Sequence, residues 1–110
     1  MSEIKHKETI VDYYNKESTQ YSKKRYEGVL STYTQYLFRK RMSIFFNYIN
    51  YIKSKINKNI DLFDIGCADG VVLFNTDNKF NDFIKLYDAV DVSSSMVEVA
   101  NKNKINNKFN

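Results

Sequence analysis

Apolar residues recur at alternating spacings of four and three through Phe38, Met42, Phe45, Ile49, Ile52 and Ile56, with Lys40, Arg41, Asn47, Lys53 and Lys55 between them. This is the repeat of a helix with one apolar stripe and one wet face, and packing against a sheet is its expected use. Ahead of it, Ile10, Val11, Tyr13 and Tyr14 give a shorter amphipathic segment over 9–15. Residues 18–28 are polar and aromatic, with Gly28 as the expected break. Residues 1–58 therefore read as a helical region.

From Ile60 the period changes. Ile60 to Ile65 is short and nearly continuously apolar, the pattern of a parallel strand covered on both faces. A small-residue loop follows, and then Val71–Phe74 open a helix with Asp69 as its expected cap. Asn75, Thr76, Asp77 and Asn78 lower its propensity, so an early end is expected. Phe80 and Phe83 are expected under the turn into a second strand, Lys85 to Asp91. Ser95 with Glu98 fits a capping box, with Ser93 or Ser94 as alternative caps, for a helix bearing Met96, Val99 and Ala100. Residues 102–108 are polar connection. Strand, helix, strand and helix in alternation predict an α/β arrangement over 59–110, preceded by helices over 1–58.

Composition narrows the class. Of 110 residues, 43% are hydrophobic and 15% aromatic, which suits a globular chain. No apolar run reaches the length of a membrane span, and the charged N-terminus is unlike a signal peptide. The single cysteine, Cys67, has no partner for an internal disulfide, in keeping with a reducing, cytoplasmic setting. Neither Cys67 nor His6 has a metal-ligand set around it, so no metal is expected. The net charge of +4 keeps a nucleic-acid partner open. The basic triplets 23–25 and 39–41 point to different faces of a helix, however, and solvated surface is their default reading.

The chemistry concentrates in Asp61-Leu62-Phe63-Asp64-Ile65-Gly66-Cys67-Ala68-Asp69-Gly70. Two of the three glycines lie here, four positions apart. A strand that breaks into such a loop and then a helix places backbone N–H groups and a helix N-terminus at one spot, suited to a polar or anionic group. Asp64, ending the strand, points an acceptor into the crevice where open α/β sheets bind ligands. Downstream, Tyr87-Asp88-Ala89-Val90-Asp91 ends in a second acid, followed by Val92-Ser93-Ser94-Ser95-Met96. Asp91 falls about 20 residues after the loop, the separation that sets a carboxylate beside a ribose. A dinucleotide fingerprint from Gly66 would need glycine at Ala68 and Val71, and both fail.

Asp64-x-Gly66-x-Ala68-x-Gly70 with Asp91-x-Ser93-x-x-Met96 resembles the first two motifs of the class I S-adenosylmethionine-dependent methyltransferases. Ala68 stands where the family has its middle glycine, which the loop accepts if φ there stays negative. Ala89 also stands where many members have glycine. The resemblance implies an incomplete Rossmann-like fold with only the first two parallel strands and their helices. Phe109 and Asn110 stand where a third strand would begin, so the chain is expected to be the N-terminal part of a methyltransferase, needing further chain or a partner for catalysis. It implies S-adenosylmethionine as cofactor. The backbone of Gly66, Cys67, Ala68 and Gly70 would receive its methionine end, and Asp64 would hold the ammonium. Asp91 would bind the ribose hydroxyls, and Val92 and Met96 would sandwich the adenine. The methyl acceptor, expected to be a small molecule, and any catalytic base are not assigned. Tyr21 and Arg41 are candidates for a place near the methionine moiety. Two other readings stand beside this one: an inactive fragment serving as an interaction piece, and a basic nucleic-acid-binding protein built on the N-terminal helices.

Overall fold

The computed structural model describes residues 2–104 and 106–110, with the side chains of 2–9 outside the description. It is a mixed helix and strand structure around a two-stranded parallel sheet. The order is α1 (Ser2–Glu17), α2 (Tyr21–Tyr26), α3 (Tyr33–Lys55), β1 (Ile60–Ile65), α4 (Val71–Phe80), β2 (Ile84–Val90) and α5 (Ser94–Asn103).

The first helix is longer than the segment expected over 9–15, because α1 docks on α5 and tertiary packing extends what local pattern began. The chain then breaks after Tyr26, and Gly28 takes φ of +77° in the connection. Arg39 holds that connection from α3, donating to the carbonyls of Arg25, Glu27 and Gly28. A capping box starts α3: the Thr32 hydroxyl accepts from Gln35 N, while the Gln35 side chain accepts from Thr32 N.

The apolar stripe of α3 does what its period demands. Ile49 is buried, and Phe45, Phe46, Ile52 and Ile56 pack around the same core as Leu73, Phe80, Ile84 and Tyr87. Each such side chain removed from water is worth about 1.5–3 kcal/mol. Phe38 lies apart, edge-on to Tyr21 and Tyr26, and fastens α2 to α3.

Strand β1 departs from expectation. Its burial alternates, and Phe63 and Ile65 are 60% and 77% exposed. Among the described residues only one face of the sheet is covered, by α3 and α4, so continuous apolarity here does not mean two covered faces. The helix α4 is not short either. The Asn75 and Thr76 side chains donate to the carbonyls of Val71 and Val72, which satisfies the buried Thr76 hydroxyl, while Leu73 and Phe80 anchor the helix in the core. Asp77, also buried, accepts from Asn106 and pairs with Lys108 at 3.5 Å. Phe80 therefore ends α4 itself, and Phe83 alone fills the turn.

The strands pair in parallel from Ile60↔Ile84 to Ile65↔Val90, with an irregularity after Ile60. On the other edge of β2, Tyr87 bridges Phe109 in parallel, and three main-chain bonds in all tie 108–110 to Tyr87 and Ala89. The Tyr87 and Phe109 rings stack at 4.6 Å. Asp91 comes one residue beyond β2. Ser93, not Ser95, caps α5, its hydroxyl accepting from Met96 N. No described helix is long and apolar enough to cross a membrane.

Candidate functional site

The crevice forms where β1 and β2 both end. Gly66 N and Cys67 N donate to Val90 O at 2.8 and 3.0 Å, so the chain leaving β1 stays tied to the tip of β2. Ala68 N then donates to Asp91 Oδ2 at 2.8 Å, and Ser93 N donates to Asp91 Oδ1 at 2.9 Å. One carboxylate thus clamps both βα loops, with one oxygen for each. Gly70 N closes the turn on Cys67 O, and Val71 N reaches Asp69 Oδ1 at 3.2 Å. Asp69 serves the helix start as expected, although Gly70 occupies the cap position.

Gly66, Ala68 and Gly70 have φ of +81°, +52° and +83°. The expectation of negative φ at Ala68 is therefore overturned. Left-handed backbone costs a residue with a Cβ roughly 1–2 kcal/mol, and the bond from Ala68 N to Asp91 helps hold it there. The two glycines serve different ends. A Cβ on Gly66 would meet nothing within 4 Å, so the space above it is open. A Cβ on Gly70 would lie 2.7 Å from the Phe74 ring, so that glycine lets α4 start close to its own first turn.

The N–H groups of Gly66, Cys67, Ala68 and Gly70 are all engaged within the protein. What the loop presents to a ligand is acceptors. A carboxylate offers about four lone-pair directions, and backbone donors take one on each oxygen of Asp91. Asp64 is half-buried at the end of β1; burial first, then the charge of Asp91, pushes its pKa upward.

Two compartments meet over this loop. One, about 260 Å³, is bounded by Asp91, Val92, Met96 and Tyr14. The other, about 210 Å³, is bounded by Asp64, Cys67, Phe45 and Tyr26. Tyr21, Gly66 and Ala68 line both. Ligand pockets span about 300–1,000 Å³, which the pair reaches only as one continuous crevice. No lysine or arginine lines either part among the described residues. Acceptor-rich walls without cations suit a ligand that brings donors and positive charge.

The structure brings seven of the eight sequence-derived candidates to this crevice: Asp64, Gly66, Cys67, Ala68, Asp91, Val92 and Met96. Gly70 is buried behind them. Tyr21 stands over the loop with the Arg25 guanidinium 4.1 Å from its ring centroid, while Arg41 is exposed on α3 against Phe38. Burial raises the Tyr21 hydroxyl pKa and pushes that of Tyr26 to about 12, so both remain neutral phenols. The Cys67 thiol is pushed to about 11, by burial first and then by Asp91 and Asp64, and a protonated thiol is a poor nucleophile.

Sequence reading missed how the N-terminal helices are fastened here. Asn15 Oδ1 accepts from Ser93 Oγ at 2.6 Å and from Ser95 N at 3.3 Å, and Ser22 Oγ donates to Asp69. These links place Tyr14 and Tyr21 as walls. Nothing local marks Asn15 for this task, because its partners lie 78 and 80 positions away. No protein family, curated protein or solved structure matches the chain.

Proposed function

We propose that the crevice binds S-adenosylmethionine and that the chain is the cofactor-binding part of a methyltransferase. The observation that carries this reading is Asp91. It stands one residue beyond β2, accepts one backbone bond on each oxygen, and lines the compartment of Val92 and Met96. A carboxylate there can accept from both vicinal hydroxyls of a ribose, while Met96 and Val92 offer an apolar surface to a base. Asp64, in the adjoining compartment, would accept from the ammonium of the methionine end. The open space over Gly66 leaves room between them.

The sheet order supports the finer fold reading. Phe109 bridges β2 on the side away from β1, where the third strand of one half of a doubly wound sheet would lie. S-adenosylmethionine supplies an already electrophilic methyl on a sulfonium sulfur. This chain's residues would bind, orient and shield that group, and proximity accounts for most of the rate gain in such transfers.

Binding of adenosine and of S-adenosylhomocysteine to wild-type and variant chains tests the assignment compartment by compartment. Asp91→Ala should weaken both ligands by about 1.5–3 kcal/mol, the worth of hydrogen bonds to a charged group. Asp64→Asn should weaken S-adenosylhomocysteine alone. Equal loss of both ligands in Asp64→Asn would remove the ammonium role, and unchanged affinity in Asp91→Ala would remove the ribose role.

A further inference from the structure

Helix α3 carries a second stripe that its core packing does not use. Tyr33, Ile44, Tyr48 and Tyr51 are 74%, 57%, 61% and 59% exposed. At about 100° per residue they project roughly a third of a turn from the core-facing Phe45 and Ile49. Lys55 is exposed in line with this stripe and Lys40 and Arg41 are exposed to either side of it, Arg41 toward Phe38, and no acidic residue occurs anywhere in Tyr33–Lys55. One ring of the stripe already has a cation beside it, and another is stacked on a neighbouring ring. Tyr33 and Tyr36 stack at 6.3 Å with planes 22° apart, and Lys55 Nζ lies 5.5 Å from the Tyr51 ring centroid.

We infer that this face of α3 binds single-stranded nucleic acid, its tyrosines stacking on bases while Lys40, Arg41 and Lys55 meet phosphates. Charge complementarity selects a polyanion, since the helix bears only positive charges. The aromatic content selects one with open π-faces, because base stacking on aromatic side chains is tolerant of sequence and needs unpaired bases. A lipid surface fits less well: membrane-surface helices set Trp, Phe and Leu against basic residues, and this stripe has only Leu37 and Ile44 among phenolic hydroxyls. The face is separate from the crevice, so the inference stands independently of the cofactor reading.

Fluorescence anisotropy of the full chain with labelled oligo(dT) and oligo(U) of about twelve nucleotides tests it, a length inside the roughly 4–16 nucleotide range of single-strand sites. Saturable binding is expected, with log affinity falling against log salt at a slope near −2, from three cations at roughly −0.7 each. Tyr48→Ser with Tyr51→Ser should lower affinity about tenfold or more with the slope unchanged, and Tyr48→Phe with Tyr51→Phe should restore it. Lys40→Gln with Arg41→Gln should flatten the slope. All four side chains are exposed, so circular dichroism melts should match wild type. Three results would overturn the inference: no binding at about 50 mM salt, near the low end of the range over which such contacts are strongest; tyrosine variants that bind as wild type; or binding to phosphatidylserine vesicles but not to oligonucleotide.

Discussion

The two faces of the sheet have nearly the same sequence character and opposite fates. On one, Leu62, Ile84 and Tyr87 meet α3 and α4, and Tyr87 is fully buried. On the other, Phe63, Ile65 and Val90 lie open, paired across the strands as Ile65↔Val90. A strand's alternation assigns residues to faces, but whether a face is covered depends on which elements lie over it. The crevice is built at the end of the covered layer, where α4, α5 and the N-terminal helices converge on the loop after β1.

Substitutions on the two faces give the sharpest contrast. Ile49→Ala, in the core of the covered side, should cost about 2–5 kcal/mol by urea unfolding. Ile65→Ala should stay within about 0.5 kcal/mol, the range of surface changes. Equal costs would mean that the outer face is covered after all. Between these extremes stands Ser93→Ala, which removes both the cap of α5 and the link to Asn15; about 0.5–2 kcal/mol is expected. Asn15→Ala keeps the cap and should cost less than Ser93→Ala. If it costs more, the link matters beyond its hydrogen bonds.

The smallest effect belongs to Asp64. Its folded-state pKa is raised above the ordinary 3.8, by burial and then by Asp91, so the unfolded chain ionises it first as pH rises. Its ionisation therefore works against the folded state once pH climbs past the ordinary value. Asp64→Asn should raise the melting temperature slightly at neutral pH, with the gain disappearing below about pH 4, near the ordinary aspartate pKa. A gain that persists at pH 3 would assign it to packing. Since Asp64 is half-exposed, solvent screening keeps the effect small.

Periodicity made the strands and the main helix legible, because each depends on neighbours in sequence, whereas the clustering of Asp64, Gly66, Ala68, Asp91 and Met96 was what the motif resemblance implied. Three features were not legible for stated reasons. Covering of β1 depends on distant elements. The left-handed Ala68 is stabilised by Asp91, 23 positions away. The full length of α4 depends on Leu73 and Phe80 joining the core and on Asp77 meeting Asn106 and Lys108. The expected donor cradle of the loop also became an acceptor site, because β2 and Asp91 had taken the donors first. The exposed tyrosines of α3 carry no signal of their own in the sequence, because the core stripe already accounts for the period of the helix.

Calorimetric titration of S-adenosylhomocysteine into the chain, with circular dichroism confirming the fold, tests the central claim most directly. Saturable binding that Asp91→Ala abolishes or weakens at least tenfold, about 1.4 kcal/mol, is the expected result. A folded chain that binds no S-adenosylhomocysteine, or binds it equally well without the Asp91 carboxylate, would contradict the assignment of this crevice.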